Sequence, residues 1–203
     1  MSQKRILCYG DSNTWGFLPG GAGRLCADQR WTGVCRRELG ADYTVIECGL
    51  NGRTTIYDNP NVKFRNGADA LPFALLENMP LDLAVLMLGS NDSKGINWDA
   101  EGFANEYEAL VQSYIDMDSR PTVYVMRPPR LYRTVENEGD GNNEIIKGEM
   151  TEIICSVAEK LGVEVIDLYS ITDGHPEWYS DGAHPNAEGN RAIAEEIAET
   201  ITK

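Results

Sequence analysis

Residues 5–13 read Arg5-Ile6-Leu7-Cys8-Tyr9-Gly10-Asp11-Ser12-Asn13, an apolar run that stops at a glycine and passes into small polar residues. A short apolar run bounded by a turn signal is how a strand covered on both faces looks. Working outward, the theme repeats. Runs at 4–9, 43–48, 81–88, 121–126 and 163–166 are candidate strands, with stretches of helical period between them. Phe103, Tyr107, Leu110, Val111, Tyr114 and Ile115 fall at spacings of three and four. Ile145, Ile146, Met150, Ile153, Ile154, Val157 and Leu161 repeat that pattern, and Ile193, Ile197 and Ile201 mark a final helix. Such alternation predicts a parallel five-stranded sheet with helices on both faces, a three-layer α/β/α sandwich. Two stretches break it and read as surface loops: Pro19 to Gln29, rich in Gly, and Pro128 to Asn143, rich in Pro, Gly, Asn and acid.

At 203 residues the chain suits one well-buried core, so a single domain over 1–203 is expected. Its formal charge of -14, from 32 acidic against 18 basic residues, argues against nucleic acid or an anionic membrane surface as partner. Cys8, Cys26, Cys35, Cys48 and Cys155 are odd in number and form no C-x-x-C pair, which suggests neither a zinc site nor a closed disulfide framework. Met1 to Lys4 pass directly into the first strand with no apolar signal segment, and no apolar stretch approaches the roughly 20 residues of a membrane span. A cytoplasmic protein with reduced thiols is the expectation.

In a sheet of this type, ligands bind at the carboxyl ends of the strands, so the loops after the first three strands should converge on one crevice. Ser12 sits on the turn that leaves the first strand, where its hydroxyl is lifted clear of the sheet. It is a candidate nucleophile, and a nucleophilic Ser needs a base, an orienter for the base and oxyanion donors. After strand two, Gly49-Leu50-Asn51-Gly52-Arg53-Thr54 lets the backbone turn tightly and come close to a ligand, with the Gly52 N–H a candidate to point into the crevice. After strand three, Gly89-Ser90-Asn91-Asp92 offers the Asn91 side-chain N–H. Taken singly, each reads equally well as an ordinary turn. The base must be one of two histidines, His175 or His184. Asp181-Gly182-Ala183-His184 places an acid one turn from the imidazole, which can hold Nδ1 and leave Nε2 for the serine; Asp173-Gly174-His175 fits less easily. We favour His184. Asp11 invites a phosphoryl-transfer reading, but position 13 is Asn and no glycine-rich phosphate loop is present after it, so its expected part is to fix the turn at Ser12.

Together, these segments resemble the SGNH, or GDSL-like, hydrolases. Gly10-Asp11-Ser12-Asn13, Gly52, Gly89-Ser90-Asn91-Asp92 and Asp181-Gly182-Ala183-His184-Pro185 match its four blocks in order. Arg30-Trp31-Thr32-Gly33-Val34 and Gly10 through Gly16 look further like the bacterial arylesterase and acyltransferase (perhydrolase-like) branch. The stretch Gly174 to Ser180, with His175 and Trp178, is similar to an insertion in that pattern.

The resemblance implies a flavodoxin-like sandwich and catalytic residues Ser12, Asp181 and His184, with Gly52 and Asn91 completing the oxyanion site beside the Ser12 N–H. It implies a small-molecule ester as substrate, no cofactor, no metal, and a homo-oligomer in which the 128–143 loop serves as interface. Asn13, Trp15 and Asn51 are candidates to shape the substrate pocket. Three readings are open: a serine esterase or acyltransferase acting on short-chain or aryl esters and passing the acyl group to water, alcohols or peroxide; a carbohydrate O-acetyl esterase; and a non-catalytic ligand-binding protein.

Overall fold

The computed structural model describes residues 3–19, 23–58, 63–136 and 140–203. Five strands, β1 (Lys4–Gly10), β2 (Tyr43–Gly49), β3 (Leu83–Met87), β4 (Thr122–Arg127) and β5 (Glu164–Asp167), form one parallel sheet in the order β2-β1-β3-β4-β5. Between them run α1 (Ser12–Trp15), α2 (Trp31–Leu39), α3 (Gly67–Asn78), α4 (Ala100–Ile115), α5 (Asn143–Lys147), α6 (Glu149–Leu161), α7 (Leu168–Thr172) and α8 (Ala187–Thr202). The expected α/β/α sandwich is therefore present.

Alternation along β1 sets the two layers, because successive side chains point to opposite faces of a strand. Leu7 and Tyr9 enter a core with Leu71, Phe103, Tyr107, Ile146, Met150 and Ile154, from α3, α4, α5 and α6. Ile6 and Cys8 face Trp31, Val34, Cys35, Ile193 and Ile197, from α2 and α8. Caps fix the helix starts: Asn66 accepts from the N–H groups of Ala68 and Asp69, Asp99 from Gly102, and Asn186 from Glu188 and Gly189.

Several expectations need correction. The apolar pattern from Ile145 to Leu161 is two helices, not one, broken at Gly148 where φ and ψ are -99° and -106°. Neither loop lies wholly on the surface. In 19–29, Leu25 is buried, while residues 20–22 lie outside the described residues. In 128–143, Leu131 is buried, and the N–H groups of Tyr132 and Arg133 both donate to the Gly182 carbonyl, at 2.8 and 3.1 Å. This loop therefore packs inward on the turn before His184; residues 137–139 lie outside the described residues.

All five cysteines are free. No helix among the described residues is long and apolar enough to cross a membrane.

Candidate active site

The strand order reverses direction at β1: the chain goes from β1 out to β2, then crosses back to β3 on the other side. Loops leaving β1 and β3 therefore diverge and open a crevice at the carboxyl end of the sheet. Gly10, Gly49 and Met87 lie level there in register, so the turns carrying Ser12, Gly52 and Asn91 all start from one edge.

Ser12 opens α1, one turn of helix held at both ends. The Asp11 carboxylate accepts from the Asn13 N–H at 2.9 Å, and Gly16 ends the turn in the left-handed region. Burial pushes the Asp11 carboxyl up, against the opposing Asn13 N–H and the nearby His184, Ser90 and Arg53. Gly49 lets α1 come this close: a Cβ on it would stand 2.2 Å from the Trp15 nitrogen and 2.6 Å from the Thr14 carbonyl carbon.

From the far end of the sheet, the segment before α8 returns to the same edge. His184 Nε2 lies 2.9 Å from Ser12 Oγ, and His184 Nδ1 lies 2.8 Å from Asp181 Oδ2. With Nδ1–H donating to the carboxylate, Nε2 is left to accept from the Ser12 hydroxyl, which is the tautomer these partners select. The other Asp181 oxygen, Oδ1, accepts from the N–H groups of Ala183 and His184, both at 2.9 Å, so the D-x-x-H spacing forms a closed turn. Burial raises the Asp181 carboxyl, but the hydrogen bonds from the His184 ring and from these two N–H groups outweigh it and hold it below the usual carboxylate range.

Gly52 has φ 74°, a conformation that favours glycine, and its N–H has no acceptor among the described residues. Asn91 Nδ2 donates to the Arg53 carbonyl at 3.1 Å. Arg53 is a residue whose part the sequence reading missed. Its Nη1 donates to the carbonyls of Gly10 and Cys48, and its guanidinium lies 4.1 Å over the Tyr9 ring. It ties the ends of β1 and β2 together and, through its own carbonyl, holds the Asn91 amide. Phe17 was missed as well: its ring centroid is 4.5 Å from that of His184. The signal was there in Trp15-Gly16-Phe17, two aromatics directly after the candidate nucleophile.

Among the pocket candidates, Asn13 is buried, Trp15 half-buried and Asn51 half-buried. The side-chain oxygens of Asn13 and Asn51 have no partner among the described residues. His175 stands apart. Its ring stacks on Trp178 at 3.9 Å and 4°, and its Nδ1 pairs with Glu177 at 2.9 Å. No group of three metal-ligating side chains occurs among the described residues.

A Ser-His-Asp relay at the carboxyl end of this sheet is an arrangement suited to acyl transfer, and similarity points the same way. An acetylxylan esterase from Xylanibacter ruminicola is 27% identical over 219 residues, covering 97% of this chain and 43% of that protein, so the chain spans under half of its length. The structure of an aryl esterase from M. smegmatis is 35% identical and superposes with a TM-score of 0.87, covering 98% of each chain. A carbohydrate acetylesterase from Sinorhizobium meliloti is 33% identical with a TM-score of 0.88, covering 98% of this chain and 99% of that one. The family model described as the GDSL-like Lipase/Acylhydrolase family matches residues 8–192. The chain belongs to that family.

Proposed function

We propose that the protein hydrolyses short-chain or aryl carboxylic esters through an acyl-enzyme on Ser12. The observation that carries this reading is the unbroken relay from Asp181 through His184 to Ser12, with heavy-atom separations of 2.8 and 2.9 Å. In the first half-reaction Ser12 Oγ attacks the ester carbonyl while His184 Nε2 takes the hydroxyl proton. Collapse of the tetrahedral intermediate breaks the bond to the alcohol oxygen, and His184 returns the proton to that oxygen. Water then attacks the acyl-serine by the same route and releases the acid. Asp181, ionised because its hydrogen bonds hold its carboxyl low, keeps the imidazole oriented and offsets its positive charge in both steps. The N–H groups of Ser12 and Gly52 and the amide of Asn91 are the donors assigned to the oxyanion.

An alcohol or peroxide that outcompetes water at the acyl-serine would turn the same cycle into acyl transfer. The apolar wall of Trp15 and Phe17 supports that extension, since it disfavours water beside His184. A second substrate class, O-acetylated sugars, is favoured by the similarity to the Sinorhizobium meliloti carbohydrate acetylesterase.

The test is a fluorophosphonate probe followed by mass spectrometry. Ser12 of the wild-type protein should be labelled, Ser12→Ala and His184→Ala should not be, and His175→Ala should label normally. An unlabelled wild type would favour a ligand-binding protein without catalysis. Loss of labelling in His175→Ala alone would move the base to the other histidine. Turnover of phenyl acetate beside an acetylated xylose then ranks the two substrate classes.

A further inference from the structure

Glu47 lies at the far end of β2, on the face that Val45 gives to the α2 layer, and three arginines converge on it. Its Oε2 accepts from Arg30 Nη2 at 2.7 Å and Arg24 Nη2 at 3.0 Å, Oε1 accepts from Thr32 Oγ1 at 2.9 Å, and Arg36 stands 3.7 Å away. The carboxylate is 15% exposed. In a chain with 18 basic and 32 acidic residues, general charge balance does not concentrate three arginines on one acid. Burial pushes the Glu47 carboxyl up, but Thr32, Arg30 and Arg24 outweigh it and keep it ionised.

One of those arginines leads to the candidate active site. Arg24 Nε donates to the Trp15 carbonyl at 2.6 Å, and its guanidinium lies 5.1 Å over the Trp15 ring. Arg24 also pairs as an antiparallel bridge with Phe17, and the Leu25 N–H donates to the Gly16 carbonyl at 2.8 Å. Arg24 thus grips the end of α1 by its carbonyl, by its aromatic face and through the next aromatic residue. Phe17 in turn packs on the His184 imidazole, with Trp15 6.3 Å behind it.

We infer that Glu47 is a positioning residue: through Arg24 it holds the Trp15–Phe17 wall against His184 and so sets which alcohol portion of an ester fits. The inference rests on the reading of His184 as the group that protonates the departing alkoxide. That step requires the leaving oxygen to lie at Nε2, so an aromatic wall beside this ring borders the alcohol side of the substrate rather than the acyl side. A carboxylate that fixes two guanidinium forks gives this wall one orientation, and freeing Arg24 to turn into solvent removes the constraint.

The test compares esters that differ on one side only. Phenyl acetate and ethyl acetate share an acyl group; phenyl acetate and phenyl butyrate share a leaving group. In Arg24→Ala and in Glu47→Gln, the phenyl-over-ethyl ratio of kcat/KM should fall about three- to tenfold while the acetyl-over-butyryl ratio stays within about twofold. Arg24 is a surface residue with its side chain 36% exposed, so its variant gives the answer even where Glu47→Gln fails to fold. Unmoved ratios in folded Arg24→Ala, or an equal fall in both, would overturn the inference. Fluorophosphonate labelling separates the layers: an unlabelled wild type defeats the Ser12 reading itself, whereas a labelled wild type with unmoved ratios in the variants defeats only the assignment of Glu47.

Discussion

At the scale of single residues, the proposed oxyanion side of the site rests on how one amide is held. Asn91 Nδ2 has two hydrogens and spends one on the Arg53 carbonyl, which leaves the other for a ligand. Asn91→Ala should therefore lower kcat by about 10²–10³ while the melting temperature stays close to wild type. A folded variant with wild-type kcat would take Asn91 out of the site. Beside it, Asp92 is fully buried and accepts from the Thr55 N–H at 2.8 Å. Burial, with the charge of Asp11 adding to it, pushes the Asp92 carboxyl up to about 7 against the opposing hydrogen bonds from Thr55. Its unfolded value is about 3.9, so between those limits the native state holds a proton that the unfolded chain has lost. Asp92 thus makes its largest contribution to stability below about pH 4, and loses it as pH rises towards 7. Asp92→Asn keeps the acceptor for Thr55 and should gain stability relative to wild type as pH rises through that window, read as urea midpoints across pH. A difference that does not change with pH would refute the assignment. The relay was legible at this scale because D-x-x-H spacing carries its own geometry. The part of Arg53 was not legible, because it depends on the carbonyls of Gly10 and Cys48, which only the folded sheet brings together, whereas Trp15-Gly16-Phe17 signalled an aromatic wall without saying which ring meets the imidazole.

At the scale of elements, the five strands were readable because burial on both faces leaves continuous apolar runs such as Leu83-Ala84-Val85-Leu86-Met87. Helices α4 and α8 were readable from their apolar spacing. Helix α3 was not: it carries Pro72 inside it and exposes Phe73 and Leu76, so no clean apolar stripe distinguishes its buried face. Helix α2 spans only nine residues and includes Gly33, which gives it too short a pattern to detect. Where elements touch, α1 comes tightly against the end of β2 at Gly49. The neighbouring atoms are backbone, so a methyl group there cannot be accommodated by a rotamer change. Gly49→Ala should cost about 1–3 kcal/mol of stability and, by pushing α1 outward, lengthen the Ser12–His184 contact and reduce labelling. Denaturation curves and probe kinetics on the same sample check both parts; a neutral variant would show that α1 is not seated as described.

At the scale of the whole molecule, the fold itself was the easiest thing to read, since alternating strands and helices leave few ways to connect a parallel sheet. What sequence left open was how the loops return: the 128–143 segment, rich in polar residues, folds back to brace the turn at Gly182 instead of standing free. The order β2-β1-β3-β4-β5 also has a temporal side. Ser12 and His184 touch across 172 positions of sequence, with strands β2 to β5 lying between them along the chain. Contacts of such separation form late, because loop-closure entropy is lost before they reward it. Recovery of esterase turnover after dilution from denaturant should accordingly lag behind recovery of the helical circular dichroism signal, and coincident curves would count against it. The relay is then a clock for the completion of folding, one that starts to tick only when the first and last parts of the chain have met.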